Sequence, residues 1–245
     1  MSTALITGST RGIGRALARL LLAEGEDVIV TGRDAAGVDA AVRDLDASPG
    51  DGRGRVTGLV LDVTDEDSVA AAAGAVAASA GRLDVLVNNA GILPEATDAD
   101  PTAAVDPAMV RRTFATNVLG AATMIDAFLP LLRDAPGGRI VNVSSRMGSL
   151  QDQLDPASPY FGTVIPAYQA SKAALNSLTV GLSKALSESG IGVVAVCPGF
   201  VRTDLTPMSR AQAPLEPEDA ARVLLRAVRA EDTGTFTDAE GPVPW

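Results

Sequence analysis

Seven short runs of β-branched and aliphatic residues, separated by longer alanine- and leucine-rich stretches, narrow what this chain can fold into more than any other feature. The runs are TALIT (3–7), DVIVT (27–31), RVTGLVLD (55–62), LDVLVN (83–88), RIVNVS (139–144), GVVAVC (192–197) and TFTD (235–238). Most are almost uninterrupted in hydrophobicity, as a strand must be when helices cover both its faces. Helix-compatible sequence lies between them, near 12–25, 35–47, 65–80, 107–133, 166–189 and 217–230. The alternation predicts an α/β protein: a doubly wound, seven-stranded parallel sheet with helices on both faces. A chain of 245 residues suits one such domain, 1–245, and two would be cramped. No internal repeat and no Pro-, Gly- or Ser-rich linker divides it.

The segment TDEDSV illustrates the local signals. Thr64 is placed to cap a helix, and Asp67, three residues on, to return the bond. The stretches ASPGDGRGR (47–55) and APGG (135–138) read as loops. Because aromatics are 3% of the chain against 47% hydrophobic residues, the core must be built from Ala, Val, Leu and Ile.

Charge and composition exclude several functions. The formal net charge is −10 with no Lys or Arg cluster, a field that repels nucleic acid and anionic lipid, so neither is expected as a partner. Histidine is absent and Cys197 is the single cysteine. Histidine-based triads, His or paired-Cys metal sites and internal disulfides are thereby removed, and no metal is expected. The opening MSTALITG already alternates into a strand, which leaves no room for a signal peptide, and no apolar run reaches membrane-spanning length. A cytoplasmic, soluble protein is expected.

The first strand runs into TGSTRGIGRALARLLLAEG, a glycine turn followed by an amphipathic helix. Gly8 permits the tight turn, Gly12 lets backbone approach a ligand, and Gly14 lets the helix pack close to the sheet. The helix then aims its unpaired N–H groups and partial positive charge at that ligand, which suits a pyrophosphate. A glycine turn without a ligand is the bland alternative.

Where the second strand ends, the chain reads VTGRD, with Arg33 at the position where an NAD-binding protein presents an acid to the ribose. Arg11 lies in the glycine loop. Two guanidinium groups converging near the adenosine ribose suit a 2′-phosphate, so NADP(H) is favoured over NAD(H). Against this, both arginines can be solvated surface charges, and Asp34 can still approach a ribose hydroxyl.

The stretch YQASK sets Tyr168 four positions ahead of Lys172, on one helix face. A phenol of pKa about 10 is a poor acid or base at neutral pH, but a nearby cation stabilises the phenolate and makes proton exchange accessible. Alone, such a pair is usually a surface pair. Three further segments, NNAG (88–91), VNVSS (141–145) and CPGFVRTDL (197–205), each follow or end a predicted strand.

With these in order, the chain resembles the short-chain dehydrogenase/reductase family in its single-domain branch. TGSTRGIG looks like the family's TGxxxGxG cofactor loop, NNAG like its structural turn and YQASK like its YxxxK motif. The resemblance implies a Rossmann fold and an NADPH-dependent reductase of ketones or aldehydes, reversible to an alcohol dehydrogenase. It implies a catalytic tetrad of Asn117, Ser145, Tyr168 and Lys172. Tyr168 would exchange the proton with the carbonyl or hydroxyl oxygen, and Ser145, rather than Ser144, would hold that oxygen. Lys172 would bind the nicotinamide ribose and lower the phenol's pKa, and Asn117 would hold a water linking Lys172 to solvent. The implied cofactor contacts are Gly8, Ser9, Thr10, Arg11, Gly12, Ile13, Gly14 and Arg33 in the first two units. Further contacts are Asp62 and Val63 at the adenine and Asn89, Ala90 and Gly91 toward the ribose. Tyr168 and Lys172 would join Pro198, Gly199, Val201 and Thr203 at the nicotinamide. Cys197 reads as buried and inert.

The chain departs from the family pattern in the long stretch between Ser145 and Tyr168. An inserted loop near the substrate site, 150–165, carries two prolines, with a third at Pro166 directly after it, and Tyr160, which has no lysine four residues on and is no competing base. The loop is a lid or substrate wall, SPYF offering aromatic surface, or equally a surface elaboration. The resemblance implies a homo-oligomer, dimer or tetramer, over a monomer. The insertion and the ending GTFTDAEGPVPW resemble carbonyl-reductase-like members, some of which are monomers. A catalytically silent NADP(H)-binding regulator is the alternative from another class, since such folds also serve as sensors. A regulator needs no Ser, Tyr, Lys and Asn in register. A sugar-nucleotide epimerase would need a larger substrate region than the short tail supplies.

Overall fold

A computed structural model of the protein describes residues 2–47, 54–98 and 104–245. The strands are β1 (Thr3–Ile6), β2 (Asp27–Gly32), β3 (Val56–Val60), β4 (Val85–Asn88), β5 (Arg139–Val143), β6 (Gly192–Val196) and β7 (Phe236–Thr237). The helices are α1 (Gly12–Ala23), α2 (Ala35–Asp46), α3 (Glu66–Ala80), α4 (Glu95–Asp98), α5 (Pro107–Phe114), α6 (Ala121–Arg133), α7 (Leu150–Leu154), α8 (Pro166–Ala185), α9 (Pro207–Gln212) and α10 (Pro217–Arg229). All seven strands join one sheet with parallel pairings in the order β3-β2-β1-β4-β5-β6-β7. This is the expected doubly wound Rossmann architecture. The order reverses between β1 and β4, and a ligand crevice opens outside the carboxyl ends of strands at such a switch point.

Neighbouring residues of one strand serve opposite layers. Ala4 and Ile6 pack with α1 and α10, whereas Leu5 joins the layer of α3 and α6 around Phe128. Both faces of β1 must therefore be apolar, which is why its run shows no alternation. Burying each large aliphatic side chain contributes about 1.5–3 kcal/mol, and this pays for ordering the loops above the sheet.

Several local expectations are corrected. The cap of α3 is Asp65, whose side chain accepts from the N–H groups of Asp67 and Ser68, while Thr64 bonds to Asp62 instead. The stretch 107–133 is not one regular helix: Ala115–Gly120 forms a π-helical turn between α5 and α6. Gly120 in that turn meets Val63 so closely that a Cβ would lie 2.8 Å from its Cγ2. The stretch is also long and apolar enough, by composition, to cross a bilayer, contrary to expectation; half of its most apolar window is buried, with α6 packed on α3. The insertion is not bare loop, because Ser149 caps the short helix α7 inside it. Of the predicted loop 47–55, residues 48–53 lie outside the described residues.

Beyond β7 the chain turns back along that strand. Asp238 N donates to Gly241 O at 2.9 Å and Val243 N to Phe236 O at 2.8 Å. The Trp245 ring stacks on Phe236 with centroids 5.6 Å apart, and Trp245 O accepts from Gln151 N of α7 at 3.4 Å. The tail and the insertion thus meet beside the carboxyl ends of β5 and β6.

Candidate active site

The glycine loop has the conformation its sequence requires. Gly8 and Gly12 both sit in the left-handed region, at φ 62° and 57°, where a side chain is strained. A Cβ on Gly14 would lie 2.7 Å from Asn89 Nδ2, so helix and β4 turn touch there without clearance. Asn89 explains the contact: its Nδ2 donates to Thr7 O and Gly8 O at 2.8 and 3.1 Å. Thr7 Oγ1 in turn accepts from Asn89 N and Ala90 N, each at 2.9 Å. α1 opens after an extended Arg11, and no side chain among the described residues caps its first turn. Uncapped N–H donors above the switch point, with glycines lining the approach, fit a dinucleotide pyrophosphate.

Not every expected loop contact faces the crevice. Ser9 is fully buried: its Oγ donates to Ile6 O at 2.7 Å and accepts from Thr31 N at 2.9 Å, tying β1 to β2. The Ile13 side chain packs into the α1 core, so its backbone alone is placed for a ligand. Thr10 lies against Gly32, where a Cβ would come within 2.6 Å of its methyl.

At the adenosine end, Asp34 is occupied as the cap of α2, accepting from Gly37 N at 2.7 Å. The exposed Arg33 acts on Asp62. Burial raises the Asp62 carboxyl, but hydrogen bonds from Thr64 and the charge of Arg33 outweigh it and hold it below its ordinary value. The expected convergence of two arginines is not what the structure holds. Arg11 Nη1 instead reaches Asp204, 3.3 Å away in the segment after β6, and Asp204 also binds Arg210. Because the Arg11–Asp204 pair is exposed, it contributes about 0–1 kcal/mol, and exchange for a phosphate would cost little.

The four expected catalytic residues are carried by three elements. Ser144 and Ser145 follow β5 and point apart, as successive strand residues do. Ser144 Oγ is buried and donates to Asn176 Oδ1 of α8 at 2.6 Å. The Ser145 hydroxyl accepts from Met147 N at 3.2 Å and lies near enough to the Tyr168 phenol to favour its ionised form. Lys172, one turn along α8, is buried; its Nζ donates to Val143 O at 2.8 Å and stands 5.6 Å from the Tyr168 ring centroid. Asn117 sits in the π-helical turn, an irregularity frequent at functional sites. Its Oδ1 and the Lys172 Nζ both border Gly91, 3.5 and 3.7 Å from where a Cβ would stand.

Burial dominates the electrostatics of this pair. It pushes the Tyr168 phenol well above its ordinary value, against the lowering effect of Ser145. It also depresses the Lys172 ammonium to about 8. The expected lowering of the phenol by Lys172 is not what the structure holds: burial raises the phenol and Ser145 is the group that lowers it, because desolvation penalises the charged forms of both residues.

Of the expected nicotinamide contacts, Pro198 and Val201 are buried and Gly199 has φ 91°, with a Cβ there set to strike Leu215 at 2.6 Å. The methyl of Thr203 would lie 3.4 Å from a Cβ on Gly12, so this segment borders the glycine loop. Cys197 is buried at the end of β6, and burial raises its thiol. Two features had escaped sequence reasoning. Arg146 bonds Asp152 through Nε and Nη2 at 2.8 and 3.1 Å, bonds Asp238 at 3.3 Å and lies 5.4 Å from the Tyr160 ring centroid. Glu95 reaches the start of α8. The missing Ser, Thr, Asp or Asn ahead of Pro166 was the one available hint that a remote acceptor is needed.

A switch-point crevice with an uncapped helix start, beside a serine, tyrosine and lysine in contact, defines a dinucleotide-binding α/β protein equipped for proton transfer. A family profile described as short chain dehydrogenase matches residues 2–214. The chain belongs to the short-chain dehydrogenase/reductase family of oxidoreductases. It is 36% identical over 228 residues to the short-chain dehydrogenase anuI of Penicillium roqueforti, covering 91% of this chain and 86% of that one. It is 31% identical to the 1-hydroxy-2-glutathionyl-2-methyl-3-butene dehydrogenase of a Rhodococcus species, covering 98% of each chain. Among solved structures, the NADPH-bound carbonyl reductase from chicken fatty liver superposes with a TM-score of 0.85 at 29% identity, covering 100% of this chain and 99% of that one.

Proposed function

We propose that the protein is an NADPH-dependent reductase of ketones or aldehydes, reversible to alcohol oxidation, with Tyr168 exchanging the proton. The observation that carries the reading is the meeting of Ser145, Tyr168 and Lys172 beyond the carboxyl end of β5, where Lys172 Nζ donates to Val143 O and stands 5.6 Å from the Tyr168 ring centroid, and Ser145 acts on the phenol to favour its ionised form. When bound, the nicotinamide dinucleotide supplies or accepts the hydride. The protein's own part is to orient and to move a proton. Ser145 holds the substrate oxygen and Tyr168 protonates it. A phenol held above its ordinary pKa stays protonated at neutral pH, the form a reductase needs. Lys172 and Asn117 both border Gly91, in the turn that follows β4.

The preference for NADPH is supported by Asp34 being engaged as a helix cap while Arg33 stands exposed at the end of β2. The similar chicken enzyme, described as NADPH-bound, agrees with it. The R33A variant is expected to lose at least about tenfold in kcat/KM with NADPH and little with NADH, the loss of one charge-assisted phosphate contact. Equal losses with both cofactors would count against a 2′-phosphate role.

The substrate we infer is neutral and apolar. Of the eleven large hydrophobic side chains that stand exposed among the described residues, eight lie in 150–164, 200–208 and at Trp245, in segments following β5, β6 and β7. Cations there are already neutralised: Arg146 by Asp152 and Asp238, Arg202 by Glu216, Arg210 by Asp204. NADPH oxidation over a panel of neutral and carboxylate-bearing ketones, aldehydes and quinones, run beside Y168F, tests the whole reading. Turnover of neutral compounds abolished in Y168F is expected. A silent panel with intact NADPH binding would favour a regulatory protein instead. The proposal extends to a cytoplasmic homo-oligomer, to which the single free cysteine and the family's usual habit are suited.

A further inference from the structure

α8 carries Tyr168 but begins without an acceptor of its own. Its capping position is Ile165, with no side-chain oxygen, and its first residue is Pro166, with no N–H. The next two N–H groups are both bonded by a single remote carboxylate. Ala167 N donates to Glu95 Oε1 at 2.9 Å and Tyr168 N to Glu95 Oε2 at 2.7 Å.

Glu95 lies in the segment after β4, and that segment is anchored at its other end by Asn117. Ile92 N donates to Asn117 Oδ1 at 2.9 Å, and Ile92 O accepts from Asn117 Nδ2 at 3.0 Å. Asn117 Nδ2 also donates to Ser171 Oγ at 3.1 Å, and Ser171 Oγ donates to Tyr168 O at 2.8 Å. The bonds form a circuit: from Tyr168 through Ser171, Asn117 and Ile92 along the chain to Glu95, and back to Tyr168. Both backbone polar groups of the proposed proton donor belong to it.

We propose that Glu95 is a positioning residue for Tyr168, fixing the first turn of α8 so that the phenol stands where the substrate oxygen binds. The inference rests on the reading of Tyr168 as proton donor. A carboxylate at a helix N-terminus makes charge-assisted bonds and complements the helix dipole. Removing it leaves two partly buried N–H groups without a partner on the turn that aims the phenol. A displacement of order 1 Å in a reacting group costs about a hundredfold in rate.

The test compares E95A, E95Q and Y168F with the wild type in steady-state kinetics on a substrate from the panel, NADPH binding by fluorescence, and residue-resolved amide hydrogen exchange. E95A should lower kcat about 10- to 100-fold with NADPH affinity within about twofold of wild type, as expected when only alignment of the reacting group is lost. Exchange should rise at the Ala167 and Tyr168 amides and remain unchanged at the C-terminal half of α8. E95Q keeps one acceptor oxygen and should recover most of kcat. Wild-type kcat in E95A with Y168F inactive would overturn the Glu95 role alone, whereas an active Y168F would overturn the catalytic reading. Parallel loss of kcat and NADPH affinity in both Glu95 variants would reduce Glu95 to general structural support and also overturn the proposal.

Discussion

Ser144 and Ser145 are chemically identical neighbours, and the strand they follow separates them. The inward hydroxyl bonds Asn176; the other reaches the phenol. S145A is therefore expected to lower kcat by about 10²-fold, the scale of losing one donor to a developing oxyanion. S144A should leave kcat near wild type and cost about 1 kcal/mol in denaturant unfolding, the worth of one buried hydrogen bond. The reverse pattern would reassign the serine. Lys172 offers a second measurement. Its ammonium titrates near 8 in the folded protein and near its ordinary, higher value when unfolded. Between these values the unfolded chain holds more protons, so this residue makes stability rise with pH from about 8 toward 10. Above about 10 the raised phenol of Tyr168 works oppositely, because the folded state then holds the extra proton. Stability curves of K172M should lack the rise between about pH 8 and 10, and an unaltered slope would count against a buried ammonium.

At the scale of elements, the 3₁₀ turn Arg146–Gly148 rests on α8 with no clearance, since a Cβ on Gly148 would lie 2.7 Å from the Lys172 carbonyl carbon. G148A should therefore cost about 1–3 kcal/mol by overpacking, read as a lowered denaturation midpoint. It should also reduce kcat, because the contact sets the spacing between Ser145 and Lys172. The strands and the glycine loop were legible in the sequence because local patterns alone dictate them: an aliphatic run buried on two faces, or a glycine where φ must be positive. Other features were not legible, for definable reasons. The π-helical turn at Ala115–Gly120 was hidden in a continuous helical pattern, since its position depends on packing against Val63 and on the Asn117 bonds to Ile92. Asp65 displaced Thr64 as cap because Thr64 is held by Asp62, a partner in the preceding turn. Glu95 was invisible because its partners lie 72 and 73 residues away.

At the scale of the whole molecule, the sheet order places the cofactor crevice over β1, with the segments after β5, β6 and β7 assembled on one side of it. The insertion belongs to that assembly through Asp152 and Tyr160 at Arg146, and through Gln151 at Trp245. Deleting residues 152–161 should accordingly raise KM for the carbonyl substrate much more than it weakens NADPH binding. An unchanged KM would make the insertion a surface elaboration. The residues after β7 have a different consequence. A terminal strand offers a row of unpaired backbone groups to any strand that arrives, including one from a second copy. Here the returning chain occupies Phe236 O through Val243 N and screens the strand with the Trp245 ring. The protein has in effect closed that border of its sheet against its own copies. Self-association through it is expected only after removal of residues 240–245, visible as concentration-dependent light scattering.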